Sequence, residues 1–242
     1  MNDNARRIVA NLAAVRSRIV AAAARAGRAA SDVRLVAVTK YVGDDEVAAL
    51  LAAGCSDFGE SRPQTLWSRA ERFRDSPARW HLIGHLQRNK VARTLPLAEL
   101  IHSVDSPRLL TAIDAEAARL GRTSDVLLEV NVSGDASKHG VAAEGLAALV
   151  AAAAACPHVC VRGLMTMAAR EGDADAARGD FARLRRLRDK TVAAMPAGTV
   201  NVQLDELSMG MSGDFEQAIA EGATLVRIGS ALFEDVDLGR GN

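Results

Sequence analysis

Eight short apolar runs punctuate this chain, with helix-patterned sequence between them, and that alternation leaves few architectures open. The runs are VRLVAVT at 33–39, SDFGE at 56–60, RWHLIG at 79–84, ELIHSV at 99–104, DVLLEVNV at 125–132, VCVRGLMTM at 159–167, QLDELSM at 203–209 and TLVRIGS at 224–230. Branched and aliphatic residues dominate several of them without a polar alternation, the mark of parallel strands covered on both faces. Between the runs, DDEVAALLAAG, SPRLLTAIDAEAARLG and DFEQAIAEG end on Gly54, Gly121 and Gly222, which read as helix stops. Ser106 before Pro107 reads as a cap with proline in the first turn, and Asp214 as the cap of another helix. Strand then helix, eight times, predicts an α/β fold, a single-domain (β/α)₈ TIM barrel, with an N-terminal helix over about 3–27 and the barrel over about 33–234. The structural rival, a doubly wound open sheet, calls for a glycine-rich fingerprint after the first strand, where VTKYVGDDE stands instead.

Composition narrows the partners. Among 242 residues, 30 basic and 30 acidic side chains cancel and aromatics are 3%, so the global basic field of a nucleic-acid binder is missing and no nucleic-acid partner is expected. The start, MNDNARRIVANLAAVRSRIVAAAARAG, sets arginines among apolar residues at helical spacing, which predicts a docking helix and not a secretory signal. GLAALVAAAAAC at 145–156 is too short to span a membrane and reads as a packed alanine-rich helix. Cys55, Cys156 and Cys160 are odd in number and lack zinc-type pairing, so the expected location is the cytoplasm, without a disulfide framework. The CxxxC spacing of Cys156 and Cys160 has two readings, a redox pair or two small core residues at a helix-to-strand junction.

In a barrel the first strand lies beside the eighth, and the C-terminal strand ends form the mouth where ligands bind. The first run stops on Lys40, an ammonium group at that mouth, while LSMGMSGDF and LVRIGS follow and form the last two strands. Gly210, Ser212, Gly213, Gly229 and Ser230 there have the chemistry of a phosphate site, although glycine and serine also make ordinary turns. A lysine facing a phosphate pocket suits a ligand carrying both an aldehyde and a phosphate, and pyridoxal 5′-phosphate fits. Burial near Arg227 would lower the pKa of Lys40. Arg227 would donate to a pyridine nitrogen and weaken the ring as an electron sink, or pair with a carboxylate at the strand end.

The segments VTK with Tyr41, FGES, WHLIGHLQRNK, HSVDS, VNVSGDASKHG, RGLMTM and LSMGMSGDFEQAIAEGATLVRIG resemble, in order, the motif series of the YggS/PROSC family of pyridoxal phosphate homeostasis proteins. The resemblance implies a barrel similar to the alanine racemase N-terminal domain, with pyridoxal phosphate held covalently on Lys40. By the same match Ser208, Gly210, Ser212, Gly229 and Ser230 fall in the phosphate-binding region, Arg227 faces the pyridine nitrogen, and Met209 and Met211 line the pocket or pack in the core. The family commonly has asparagine after FGE; Ser61 stands here and offers one hydrogen bond in place of a two-ended amide. Lys138 in SGDASKHG is a second amine facing the ligand, or a solvated loop lysine. His81 and His85 invite a metal reading, but carboxylates at ligand spacing are absent nearby in the sequence. No metal is therefore expected; a strand-end histidine is read as satisfying a backbone carbonyl, and His85, Gln87, Asn89 and Lys90 as a polar rim.

Racemisation needs an acid–base group on each face of the substrate carbanion. The second group in alanine racemases is a tyrosine from an additional domain, which this chain lacks, and Tyr41 adjoins Lys40 where strand alternation would turn the two apart. The resemblance therefore implies a non-catalytic, monomeric carrier that stores pyridoxal phosphate and delivers it to apo-enzymes, with no catalytic residue. The alternatives are an amino-acid racemase of restricted scope and a cofactor-independent Schiff-base aldolase.

Overall fold

A computed structural model describes residues 2–135, 138–168, 174–196 and 198–238. Its strands are β1 (Arg34–Val38), β2 (Asp57–Glu60), β3 (Arg79–Leu82), β4 (Leu100–Val104), β5 (Ser124–Asn131), β6 (Val141–Ala142), β7 (Val159–Met165), β8 (Val202–Ser208) and β9 (Leu225–Ile228). All pairings are parallel, in the order β4-β3-β2-β1-β9-β8-β7-β5, and a β4–β5 pairing closes the ring of eight. The two residues of β6 ride on the end of β5 and take no part in closure.

The helices are α1 (Asp3–Arg25), α2 (Asp44–Ala52), α3 (Pro63–Arg72), α4 (Val91–Thr94), α5 (Pro107–Arg119), α6 (Leu146–Ala154), α7 (Ala174–Ala194) and α8 (Phe215–Ala220). The eighth repeat departs from expectation, because among the described residues β9 is followed only by a 3₁₀ turn, Ser230–Leu232. The N-terminal helix fills the slot: α1 packs on α2, on α8 and on that turn, burying Ile8, Leu12, Val15, Ile19, Ala22 and Ala23 along one face. Its spacing of apolar residues is what makes a detached helix dock there.

Gly54, Gly121 and Gly222 adopt φ of +76°, +65° and +95°, as their reading as helix stops requires. The caps differ from expectation. Ser106 contributes its backbone carbonyl, which accepts from the amides of Leu109 and Leu110, and its hydroxyl makes no capping bond. Asp214 bends back to accept from the Met211 amide at 2.6 Å and so closes the loop before α8.

Strand alternation divides the apolar residues between two compartments. The larger lies between strands and helices, and a smaller cluster of Val36, Leu100, Leu127, Met165 and Leu225 fills the barrel interior. The three cysteines are unpaired thiols, and burial pushes all three up, Cys55 to about 11, which favours packing over redox chemistry. Among the described residues no helix is long and apolar enough to cross a membrane.

Opposite Gly163 the β7–β8 ladder bulges: Val161 pairs with Val202 and Gly163 with Glu206, and Leu204 takes φ of +59°. A β-carbon on Gly163 would lie 1.8 Å from the Glu206 carbonyl oxygen, so the two strands meet only if that residue is glycine. Gly163→Ala should therefore lower the unfolding free energy by about 3 kcal/mol in urea titrations. Gly179, in α7 with no neighbour within 4 Å of its added β-carbon, is the control, and Gly179→Ala should gain roughly 0.5–1 kcal/mol.

Candidate functional site

The pairing of β1 with β9, from Arg34↔Leu225 to Ala37↔Ile228, brings the two ends of the chain to one corner of the mouth. A methyl group on Gly229 would meet Val38 at 3.5 Å, so the loop after β9 begins beside the end of β1. Lys40 stands just past that end and is exposed, not desolvated as its place after an apolar run suggests. Its Nζ lies 4.7 Å from the centroid of the Tyr41 ring. Both residues are in the turn beyond the strand, where alternation no longer separates them, so amine and ring share a side.

The loop after β8 meets this corner through Ser212. Its Oγ accepts from the backbone amides of Gly229 and Ala231, at 3.2 and 3.3 Å. Exposed Ser230 opens the 3₁₀ turn between those two amides. The glycines here serve different ends. Gly210, at φ of +91°, would push a β-carbon to 2.6 Å from Ala218 Cβ, so the turn onto α8 demands it. Gly229 has φ of −120°, and an added β-carbon finds only ordinary contacts. Packing within the chain gives no reason for glycine at 229. Met209 belongs to the outer core and is fully buried, whereas Met211 is 40% exposed.

Arg227 is buried inside the barrel and forms no ion pair among the described residues. It donates from one terminal nitrogen to Ser208 Oγ at 2.6 Å and from the other to the Thr166 carbonyl at 2.9 Å. Burial pushes its pKa down to about 10, against the opposing charges of Asp214 and Glu129, so it remains a cation at neutral pH. The Ser208 hydroxyl, expected near a phosphate, is engaged in the interior, 2.9 Å from His102 Nδ1. His102 Nε2 lies 3.0 Å from His81 Nδ1, and His81 Nε2 lies 3.1 Å from Asp57 Oδ1. Arg79 completes the line with a 2.6 Å ion pair to Asp57. His81 thus meets a carboxylate and a second imidazole, not the backbone carbonyl expected of it. Burial pushes the Asp57 carboxyl up, but hydrogen bonds from His81 and Arg79 outweigh it and hold the group well below the usual carboxylate range.

Around the rim, Lys138 Nζ donates to the carbonyls of Met167, at 3.3 Å, and of Ala168, tying its loop to the end of β7. Ser61 is half-buried one residue past β2, with its backbone carbonyl against Gly84. His85 is exposed, stacks on His139 with centroids 4.9 Å apart, and lies 3.8 Å from Asp105. The next strand end therefore supplies the carboxylate that the local sequence lacks. The donor atoms of His85, Asp105 and His139 lie within 4.8 Å of one another. A tetrahedral shell with bonds of about 2.1 Å needs neighbours closer than that, roughly 3.4 Å apart.

The alanine racemase N-terminal domain model matches residues 10–236. A protein of Pseudomonas aeruginosa called pyridoxal phosphate homeostasis protein is 41% identical over 96% of this chain and 97% of its own. The chain belongs to the pyridoxal phosphate homeostasis protein family. The structure of PipY from Synechococcus elongatus with pyridoxal phosphate bound matches this one with a TM-score of 0.81 at 32% identity, over 93% of this chain and 99% of that one. Alanine racemase of Clostridium difficile shares the fold alone, at 16% identity and a TM-score of 0.72, with 98% of this chain covering 59% of that one.

The residues that sequence reasoning missed are those inside the barrel: Asp57, His102, Glu129 and Thr166. A glutamate within a parallel strand covered on both faces was the available signal, since such a group is costly to bury. Burial pushes Glu129 up to about 7, with Asp105 adding to the effect and Arg227 opposing it. Because the fold holds this proton more tightly than the unfolded chain does, its stabilisation is complete below about pH 4 and is lost as pH rises through about 7. Glu129→Gln should thus gain roughly 2 kcal/mol relative to wild type between pH 5 and pH 8, read from denaturant titrations at both pH values.

Proposed function

We propose that this chain binds pyridoxal phosphate through a reversible covalent bond to Lys40 and serves to hold and pass on the cofactor. The residues present fit that molecule, group by group. The hydroxyls of Ser212 and Ser230, with the Gly229 and Ala231 amides that a phosphate oxygen would take over from Ser212 Oγ, form a donor set suited to a phosphate. The buried guanidinium of Arg227 suits a ring nitrogen that can only accept. Lys40 offers a primary amine to an aldehyde. The observation that carries the reading is Gly229: its backbone is bare where packing within the chain does not require it, beside the converging amides and next to the end of β1.

When bound, pyridoxal phosphate supplies an electrophilic carbon and a ring able to draw electrons from it. Arg227 stays protonated and only donates, so it holds the ring nitrogen without a proton and weakens that withdrawal. Lys40 and Tyr41 share one side, so Tyr41 does not supply the second acid–base group that racemisation needs on the opposite face of a substrate carbanion. These features favour a carrier over a racemase, and the proposed carrier is a cytoplasmic monomer whose recipients are apo-enzymes.

Purified protein incubated with pyridoxal phosphate should develop a visible absorption band that Lys40→Ala abolishes. Gly229→Ala should melt with the wild type yet bind the cofactor at least tenfold more weakly, a difference of about 1.4 kcal/mol in a titration. A Gly229→Ala protein with unchanged affinity would remove the phosphate assignment. Exchange of solvent deuterium into the α-position of amino acids should run no faster with the protein than with free cofactor; faster exchange would establish the enzyme in place of the carrier.

A further inference from the structure

Much of the barrel interior is apolar, but a single line of polar groups crosses it. It starts at Asp57 and Arg79, the first residues of β2 and β3, passes through His81 of β3 and His102 of β4, and ends with Ser208 and Arg227 near the mouth. His81, His102 and Ser208 are fully buried, and each link is between 2.6 and 3.1 Å.

The direction of every bond follows from the two ends. Arg227 can only donate, so Ser208 Oγ accepts from it. Asp57 is ionised and can only accept, so His81 carries its proton on Nε2 and leaves Nδ1 bare. His102 must then donate from Nε2 to His81, which leaves its own Nδ1 to accept the Ser208 proton. A second proton on His81 would turn this order round. Ser208 would then face donors in both Arg227 and His102, with no acceptor for its hydroxyl proton among the described residues. Burial and the neighbouring cations also disfavour a charge on His102 itself.

We infer that His81 and His102 are positioning residues: through a one-way chain of donated hydrogen bonds from Arg227 to Asp57, they fix the rotamer of the Ser208 hydroxyl and with it the orientation of the guanidinium that faces the cofactor ring. The inference rests on the proposed role of Arg227. A fully satisfied buried network specifies one arrangement where an apolar interior would leave the guanidinium several. The anchor is the Asp57–Arg79 pair, with Arg79 half exposed at the opposite end of the barrel, so the geometry at the mouth is set from outside the ligand's reach.

Two measurements test this. Nitrogen-15 spectra of the cofactor-free protein at pH 7 should show both rings neutral, protonated at Nε2 and bare at Nδ1. In the loaded protein, His102→Phe should displace the visible band of bound pyridoxal phosphate while leaving affinity within about threefold of wild type, less than 1 kcal/mol. His102→Asn, whose amide oxygen takes the place of Nδ1 toward Ser208, should restore the wild-type band. Protonation of Nδ1 in either ring overturns the inference, as does an unmoved band in a His102→Phe protein that still loads. Should the phenylalanine variant fail to fold, the ring tautomers decide alone. A wild-type protein that takes up no cofactor would defeat the proposed function instead, and the tautomers would still be read independently.

Discussion

Closure of the ring by β1 on β9 is the constraint from which the remaining features follow. Five residues of β1 and four of β9 lie at opposite ends of the sequence, and their parallel register places the Lys40 turn beside the Gly229 loop. The same closure creates an interior. An open sheet would leave Arg227 on a solvated or helix-covered face; inside a barrel it is walled by neighbouring strands and meets Ser208 and the Thr166 carbonyl. That no helix follows β9 among the described residues makes α1 part of the constraint, since it covers the outer side of the junction.

Alternation along short strands then sorts the ionisable groups by face. On β2, Asp57 joins the interior chain, while Glu60 is fully buried and accepts from the Thr39 hydroxyl at 2.6 Å. Burial pushes Glu60 up, and its other carboxyl oxygen has no partner among the described residues, whereas hydrogen bonds hold Asp57 down. On β5, Leu127 packs in the interior and Glu129, two residues on, shares its face near the mouth. The barrel therefore contains a carboxylate held ionised at one end and a carboxyl that titrates near neutrality at the other. Arg227 feels the second directly and the first only through the hydrogen-bonded chain.

The barrel was legible because uninterrupted apolar runs and glycine stops are local signals, each written within about ten residues. The resemblance carried the candidate site, and spacing alone left each residue with an ordinary reading beside the functional one. What escaped is non-local. Nothing in RWHLIG or ELIHSV says that His81 will face His102 and not a carbonyl, because that depends on which strands become neighbours. The carboxylate near His85 comes from the next strand end for the same reason. The exposure of Lys40 depends on the chain leaving the strand at Val38, a boundary that an apolar run blurs. The missing eighth helix was hidden by treating the last run as another repeat.

Under the proposed function, a protein that holds a reactive aldehyde and later surrenders it faces opposing demands on its two cationic groups. The amine must be reachable, because release requires water or a competing amine to attack where the protein is bonded, and an exposed lysine at a turn satisfies that. The guanidinium must be immobile and dry, because a mobile or hydrated group opposite the ring would let the ring nitrogen gain a proton and promote chemistry on bound amino acids. One site can meet both demands only if the two cations are supported differently. Lys40 is supported by the turn and the neighbouring Tyr41 ring, and Arg227 by hydrogen bonds that run back through the barrel to Asp57. The division between an exposed amine and a fixed guanidinium is thus built from the difference between a strand end and a strand interior.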